Sequence, residues 1–241
     1  MGARLTWYPM TTSTNDRAME AAASGAAHGT LVVAECQSAG RGRLGRVWQS
    51  PPGAGLYFSV VVHLPVAVAP LLTLAAGVAV ADGLRVSTGL AVQLKWPNDI
   101  WVDGRKLGGI LAEAAAMEAE HAVVVTGIGL NVAPSALPPD VAGRATSIED
   151  ELGRAVDRGL VLAEVLVTLE ERTRQLATGG AAAMLADWRT HASSLMGRRV
   201  TWERGGEAVE GQATGIDDTG ALVVVTTGGV ERIVAGEVRW A

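Results

Sequence analysis

The sequence predicts an α+β protein in two parts, a larger domain over residues 1–193 and a small C-terminal β-barrel over residues 194–241. Strand-length apolar runs and helical segments alternate up to residue 193, and only short strands separated by glycine turns follow. The 241 residues are 49% hydrophobic, enough to bury a core without disulfide or metal support. The net charge of −5 argues against a general nucleic-acid coat or a binder of anionic membranes.

The first predicted elements are a helix and a strand. Residues 14–24 have helical character, with Ser13 or Thr14 as the N-cap and Gly25 as the stop. Residues 31–36 form a β-branched apolar run, which is typical of a strand.

A long uncharged stretch follows, because no Asp, Glu, Lys or Arg lies between Arg46 and Asp82. Four prolines interrupt it, so no apolar run reaches the length of about 18 residues that a membrane-spanning helix needs. The pattern instead predicts a buried strand over 56–64 and a buried helix over 71–86.

The remaining elements continue this alternation. Strands are predicted at 92–96, 100–102, 109–113 and 123–128, and helices at 160–177 and 181–193. The Asp103-Gly104 dipeptide predicts a hairpin turn. The short strands of the C-terminal barrel are predicted at 198–202, 207–216, 221–226 and 231–234.

Two features predict a cytoplasmic location. The first 30 residues lack the apolar segment of a signal peptide. The single Cys36 cannot form an internal disulfide, which fits a reducing compartment.

Positive charge in this chain is almost all arginine. The two lysines, Lys95 and Lys106, lie in one polar segment, KWPNDIWVDGRKLGG. Either this segment needs ammonium groups or a codon bias towards arginine has left two lysines by chance. Asn98 and Asp99 are first of all turn residues, and Asp99 is also a possible Mg²⁺ ligand or base.

Residues 37–48, QSAGRGRLGRVW, form what we call the Arg–Gly loop, which carries Arg41, Arg43 and Arg46 and no acidic residue. Glycines let backbone N–H groups approach an anion, and guanidinium groups bind phosphate or carboxylate through paired donors. The loop contains Gly-x-Gly-x-x-Gly but lacks the helix and the later acidic residue of a dinucleotide fold. A solvated basic turn or a nucleic-acid contact are the alternatives, although Trp48 and the apolar strand after it anchor the loop to the core.

Other common motifs are absent from the sequence. There is no Walker A motif, and the four histidines show no metal-ligand spacing. The segment GIGLNV at 127–132 ends a strand and offers Asn131 as a donor.

Five motifs in order make the chain resemble the biotin protein ligase family. They are STN at 13–15, AECQSAGRGRLGRVW at 34–48, KWPNDI at 95–100, RKLGGIL at 105–111 and GIGLNV at 127–132. The resemblance implies a mixed β-sheet flanked by helices, like that of class II aminoacyl-tRNA synthetases, with an SH3-like C-terminal domain. The start of the chain implies the monofunctional class, without an N-terminal DNA-binding domain.

The resemblance also implies a reaction and its partners. Biotin and ATP with Mg²⁺ would form biotinyl-5′-AMP, and a lysine of a biotin carboxyl carrier protein would then take the biotinyl group. No nucleic-acid or membrane partner is expected, and a homodimer through an exposed sheet edge is possible in this family.

The family's functional residues map onto this chain by its motifs. Catalytic roles fall on Arg43, Lys106 and Asp99, and Asp99 is also assigned to Mg²⁺. Biotin binding falls on Ser13, Thr14, Asn15, Gln37, Gly40, Arg41, Gly42, Arg43, Lys106 and Gly109. ATP binding falls on Arg43, Arg46, Trp48, Lys95, Asn98 and Asn131. The Arg–Gly loop is expected to be poorly ordered without ligand and to close over the intermediate.

Three other functions compete with this one. A lipoate–protein ligase would share the fold and chemistry, and an octanoyl or lipoyl transferase would use Cys36 as nucleophile. A nucleic-acid-binding module would use the Arg–Gly loop and the barrel. Ser13, Thr14, Asn15 and Gln37 suit a ureido group better than an aliphatic tail, which favours biotin.

Overall fold

The computed structural model describes residues 1–2, 4–137, 141 and 143–240. Within these residues the chain forms twelve β-strands in two sheets, together with five α-helices.

The larger sheet has seven strands. They are β1 (Arg4–Tyr8), β2 (Thr30–Ala34), β3 (Gly55–Pro65), β4 (Gln93–Lys95), β5 (Asp99–Val102), β6 (Arg105–Met117) and β7 (His121–Asn131). Their order across the sheet is β1-β2-β3-β7-β6-β5-β4. The β1–β2 pair is parallel and the other neighbours are antiparallel, so the predicted mixed sheet is confirmed.

Helices cover the two faces of this sheet unequally. The five helices are α1 (Thr14–Ala23), α2 (Leu72–Thr88), α3 (Ile148–Leu152), α4 (Arg158–Ala177) and α5 (Ala181–His191). On one face α2, α4 and α5 pack over the main core, which includes Phe58, Ile128 and Leu130. On the other face α1 covers a small cluster around Val61 and Val125. The rest of that second face is available for a site.

The long uncharged stretch is part of the core. Val66–Thr88 is long and apolar enough to span a membrane, but 61% of its most apolar window is buried inside the protein. The helical part begins at Leu72 and ends at Gly89, whose φ of +83° is the left-handed conformation that favours glycine at a helix C-terminus. The prediction of a buried core helix is confirmed.

The second sheet is wholly antiparallel. Its strands are β8 (Arg199–Arg204), β9 (Glu207–Ile216), β10 (Leu222–Thr226), β11 (Gly229–Ile233) and β12 (Val238–Trp240), in the order β11-β10-β9-β8-β12. It packs against the first part, because the Trp96 indole donates a hydrogen bond to Gly220 O at 2.9 Å. Arg189 on α5 likewise donates to Ile216 O at 2.9 Å.

Three elements were not predicted, namely β1, α3 and β12. β1 is a sheet-edge strand of five residues, RLTWY, whose alternation of polar and apolar residues is too short to distinguish a strand. The five residues of α3 and the three of β12 are too short to show a period. β6 and β7 are also longer than predicted, because 13 and 11 residues pair as one hairpin.

Candidate active site

Strand register brings the separate motifs together on the open face of the larger sheet. Lys95 on β4 pairs with Asp99 on β5, Asp99 pairs with Gly109 on β6, and Gly109 pairs with Gly129 on β7. A second row, two residues earlier on β7, joins Leu111, Gly127 and Ser59. Residues two apart on a strand face the same way, so Gly127 and Gly129 expose backbone on one surface.

A cavity of about 580 Å³ lies over these two rows. Its wall comes from α1, the Arg–Gly loop, β4 to β7, the segment around Ala136 and residues 236–240 of the second sheet. Of the residues predicted for the site, all but Gly40 line it: Ser13, Thr14, Asn15, Gln37, Arg41, Gly42, Arg43, Arg46, Trp48, Lys95, Asn98, Asp99, Lys106, Gly109 and Asn131.

One end of the cavity, which we call the polar end, is formed by Ser13, Thr14, Asn15 and Gln37. Ser13 is the N-cap of α1, since its hydroxyl accepts from Asn15 N at 3.3 Å. Gln37 Oε1 accepts from Thr14 N at 2.8 Å, which ties the Arg–Gly loop to the start of α1. The three α1 residues are at least 96% buried, so this end is dry and already hydrogen-bonded.

The side chain of Asn15 is held at every polar atom. Its Oδ1 lies 2.6 Å from the Ser59 hydroxyl, and its Nδ2 donates to Glu113 Oε2 at 2.8 Å and to Leu111 O at 3.3 Å. It also lies flat on Gly127, where an added Cβ would come within 2.0 Å of Asn15 Oδ1. The glycine is therefore required by the position of the amide.

The other end, which we call the cationic end, is formed by Arg43, Lys95 and Lys106. Lys106 Nζ donates to Asp99 Oδ1 at 2.5 Å and lies 5.5 Å from the Trp48 ring centre. Lys95 Nζ lies 3.9 Å from the Trp101 ring centre, a cation–π contact. Burial lowers the pKa of Lys95, and the nearby Asp99 carboxylate opposes that effect.

At the cationic end, the Arg43 guanidinium is held by neutral hydrogen-bond acceptors. Its guanidinium donates to Asn98 Oδ1 and to Gly236 O, each at 3.3 Å. Burial lowers the pKa of Arg43, partly offset by Asp99. The acceptors that hold the Arg43 guanidinium are therefore neutral. Because a buried charge without a counter-ion is costly, an anionic ligand at this position would be favoured.

The other two arginines of the Arg–Gly loop are paired with acids. Arg41 lies 2.9 Å from Asp16 and 2.8 Å from Glu113, and Arg46 pairs with Glu237 of the second sheet. The loop is thereby attached to α1 and β6 at one side and to the C-terminal sheet at the other.

Trp48 forms the floor between the two ends. An added Cβ at Gly129 would lie 2.6 Å from Trp48 Nε1, so the indole rests directly on the backbone of β7. Trp48 Nε1 is buried and has no hydrogen-bond partner among the residues that the structure describes. Gly40 does not line the cavity. It closes the loop instead, with its carbonyl accepting from Trp48 N at 2.9 Å.

Two further predictions about local structure can be assessed. The Gly-x-Gly-x-x-Gly sequence forms a three-residue 3₁₀ turn, Arg43–Gly45, and opens into no α-helix, as expected. Asn131 lines the cavity, and its amide donates to Thr146 O at 3.1 Å, so it also fixes the segment that follows β7.

Sequence reasoning missed three contributors, Glu113, the Gly127/Gly129 pair and residues 236–240. The glycine pair had a signal, since glycines two apart in a strand indicate close approach of another group. Glu113 and residues 236–240 had none, because their neighbours in space are distant along the chain.

Models of two protein families match the chain. The Biotin/lipoate A/B protein ligase family matches residues 7–131, and the Biotin protein ligase C terminal domain matches residues 195–239.

Named relatives cover most of the chain. It is 41% identical over 240 residues to the biotin–[acetyl-CoA-carboxylase] ligase of Mycobacterium tuberculosis, covering 95% of this chain and 85% of that protein. It is 36% identical over 243 residues to the bifunctional ligase/repressor BirA of Bacillus subtilis, covering 99% of this chain and 74% of that protein.

Solved structures agree with these matches. The biotin protein ligase of Aquifex aeolicus, solved in complex with biotin and ATP, superposes with a TM-score of 0.84 at 28% identity, covering 99% of each chain. The Leishmania major enzyme in complex with biotinyl-5-AMP superposes with a TM-score of 0.66 at 27% identity, covering 98% of this chain and all of that one.

Proposed function

The chain belongs to the biotin/lipoate A/B protein ligase family, and on that premise we propose that its cavity joins biotin to ATP and passes the biotinyl group to a carrier protein. In the first step the biotin carboxylate attacks the α-phosphorus of ATP, giving biotinyl-5′-AMP and pyrophosphate. In the second step a carrier lysine attacks the acyl carbon and AMP leaves. The observation that carries the proposal is one continuous cavity with an uncharged, hydrogen-bonded end and a cationic end.

The polar end is proposed to hold the ureido ring of biotin. A ureido group has both N–H donors and a carbonyl acceptor, and the buried hydroxyl and amide groups of Ser13, Thr14, Asn15 and Gln37 can complement all of them. Among the described residues the Ser13 hydroxyl donates to no acceptor and Gln37 Nε2 donates only to Ser50 Oγ. An aliphatic dithiolane head would leave these remaining donors unpaired, at a cost of about 1–3 kcal/mol for each buried group. This difference supports biotin over lipoate.

The cationic end is proposed to hold the reacting anions. Two anions must come into contact there, and their repulsion is strong in a dry site. Arg43 and Lys95, which make no carboxylate contact shorter than 4 Å within the described part of the chain, are placed to offset it. Lys106 stands opposite Asp99 and is proposed to contact the developing charge in the transition state. Arg41 and Arg46, already paired with acids, are assigned to holding the loop.

Mg²⁺ is proposed to bind through Asp99 and the phosphate oxygens of ATP. Mg²⁺ commonly uses one or two carboxylates together with substrate phosphates rather than an all-protein cage. This fits the cavity, where Asp99 is half-buried and no cluster of three potential metal ligands occurs among the described residues. A bound Mg²⁺ would supply positive charge to the phosphates, and the assignment of Asp99 as base for the acceptor lysine is the alternative.

The competing transferase mechanism has little support from the geometry. Cys36 is buried, its Sγ lies 3.4 Å from Pro9 O, and it is not among the described residues that line the cavity. A thiol nucleophile would have to face the acyl group.

The identity of the carrier protein, the cellular location and the domain boundary are also proposals. We assign the acceptor to a biotin carboxyl carrier protein of acetyl-CoA carboxylase, the working location to the cytoplasm, and the domain division to residues 1–193 and 194–241. A homodimer through an exposed sheet edge is compatible with the free edge of β1. Nucleic acid and membranes are not proposed as partners.

The direct test measures pyrophosphate release from Mg·ATP by the purified protein with biotin, lipoate, octanoate or no acid. Release that depends on biotin alone is the expected result. Release with lipoate instead would overturn the assignment of the polar end, and no release from folded protein with any acid would overturn the ligase function itself. Transfer is then checked by adding a carrier domain and its lysine-to-arginine variant.

A further inference from the structure

Glu113 on β6 is a carboxylate beside the cavity for which the proposed reaction has no role. It does not line the cavity, yet a single oxygen, Oε2, accepts from Asn15 Nδ2 and from Arg41 Nη2, both at 2.8 Å. Its side chain is 29% exposed, so it sits at the border between the buried polar end and the solvent.

The contact with Glu113 bears on the orientation of the Asn15 side-chain amide. An amide can be turned over, which exchanges its donor and acceptor. The Ser59 hydroxyl contacts Oδ1, but a hydroxyl can donate or accept and would tolerate either orientation. A carboxylate only accepts, so Glu113 at 2.8 Å, together with the longer contact to Leu111 O at 3.3 Å, holds Nδ2 on its own side and leaves Oδ1 on the side of Ser59 and Gly127.

Arg41 and Asp16 in turn hold Glu113. The Arg41 guanidinium bridges the two carboxylates, at 2.9 Å from Asp16 and 2.8 Å from Glu113. A bridging cation fixes the Glu113 rotamer and offsets the repulsion between the acids. This role explains why Arg41 of the Arg–Gly loop is paired with two carboxylates and is not free to bind an anionic ligand.

We propose that Glu113 is a positioning residue for substrate recognition, which fixes the donor side of the Asn15 amide and is itself held by Arg41. This inference rests on the proposed function, because it assigns the polar end to the acid substrate. The inference predicts an effect on biotin and not on ATP, because Glu113 makes no contact with Arg43, Lys95 or Lys106 among the described residues.

The test compares the KM for biotin with the KM for ATP in pyrophosphate release. Glu113→Ala is expected to raise the KM for biotin by about 10- to 100-fold, the usual size of a lost hydrogen bond to a charged group. The KM for ATP and the unfolding temperature should stay near wild-type values. Glu113→Gln keeps an acceptor for Asn15 Nδ2 and should recover the KM for biotin to within about threefold of wild type.

Two further variants separate positioning from other roles. Asp16→Asn removes the other acid on Arg41 but leaves the contact with Asn15, so the KM for biotin should change less than about threefold. Asn15→Ala combined with Glu113→Ala should be no worse for biotin than Asn15→Ala alone, because Glu113 acts through that amide.

The inference is overturned if Glu113→Ala leaves the KM for biotin unchanged, raises both KM values equally, or adds its full effect to Asn15→Ala. Failure of the proposed function would look different, because wild-type protein itself would then release no pyrophosphate with biotin.

Discussion

The two ends of the cavity are built in opposite ways on the same strand. At the polar end, Asn15 lies on Gly127, every polar atom of its side chain is engaged, and the α1 residues are almost fully buried. At the cationic end, Trp48 lies on Gly129, its indole nitrogen is buried without a partner, and the cations are only partly buried.

Under the proposed function, this difference assigns recognition to the polar end and chemistry to the cationic end. Buried groups that still have a free donor discriminate between ligands, because a wrong ligand leaves that donor unpaired, and the internal hydrogen bonds around it hold it in place. Fixed cations at the other end can stabilise negative charge as it develops between carboxylate and phosphate. Changes at the polar end should therefore act on the KM for biotin, and changes at the cationic end on kcat or on the KM for ATP.

The largest effect is expected at Lys106. Lys106→Ala should lower kcat for adenylation by about 10² to 10³, the usual loss for one transition-state donor. Single-turnover formation of the adenylate measures it directly. Arg105→Ala is the matched control, because Arg105 pairs with Glu151 at 2.8 Å and does not line the cavity, and it should retain near-normal kcat. A change in KM alone for Lys106→Ala would mean that the lysine supplies only ground-state binding.

The glycine pair tests the separation of the two ends most sharply. Gly127→Ala would place a Cβ 2.0 Å from Asn15 Oδ1, and Gly129→Ala would place one 2.6 Å from Trp48 Nε1. The first should raise the KM for biotin and the second the KM for ATP, each by about 10- to 100-fold from overpacking. Steady-state kinetics with each substrate varied in turn would show it. If both variants impair the same substrate, the two ends are not separate.

A smaller effect is expected where the Arg–Gly loop meets the second sheet. Glu237→Gln removes the acid partner of Arg46, and an exposed pair of this kind contributes about 0.2–1 kcal/mol. The KM for ATP should rise about two- to fivefold, which corresponds to a contribution of that size. As the salt concentration increases, the KM of the wild type should approach that of the variant, because salt screens the ion pair. Equal salt dependence in both proteins would contradict a role for the pair in closing the loop.

The smallest effect lies outside the cavity, at Asp217 in the turn that packs on α2. Burial acts to raise the pKa of Asp217, but hydrogen bonds from Thr219, Arg232 and Ala221 together outweigh it and lower this pKa from 3.8 to about 2. A carboxyl with a lowered folded-state pKa stabilises the fold above its unfolded pKa, so this contribution is lost as the pH falls from 3.8 to about 2.

Asp217→Asn should remove that part of the acid sensitivity, measured as the urea midpoint at each pH. The change should be small because the carboxylate is near the surface, where solvent screens it. Asp218→Asn is the control, since the Asp218 side chain is 98% exposed. Identical pH profiles for wild type and Asp217→Asn would rule out the contribution.

Local sequence determined much of this protein. The start of α1 at Ser13 or Thr14, the core helix, predicted over 71–86 and observed over Leu72–Thr88, the Asp103-Gly104 turn and the Arg–Gly loop after a strand all follow from short-range preferences of the backbone and of side chains. The ordered motifs also pointed to residues that line the cavity, because their resemblance to the biotin protein ligase family carried the site residues over position by position. Both lysines lie at one end of the cavity, which favours a need for ammonium groups there over chance survival under an arginine bias.

Only the tertiary structure determines which partners those residues contact. The family resemblance assigned Arg41, Arg43 and Arg46 different ligands, but nothing in the local sequence shows which of the three has an acidic partner, and only long-range pairing distinguishes them in this respect. Glu113 and Glu237 neutralise two of the three, from positions 72 and 191 residues away, and leave Arg43 on neutral acceptors. Strand register likewise set Gly127 under Asn15 and Gly129 under Trp48. Such contacts depend on which strands pair and in what register, and no local pattern of residues carries that information.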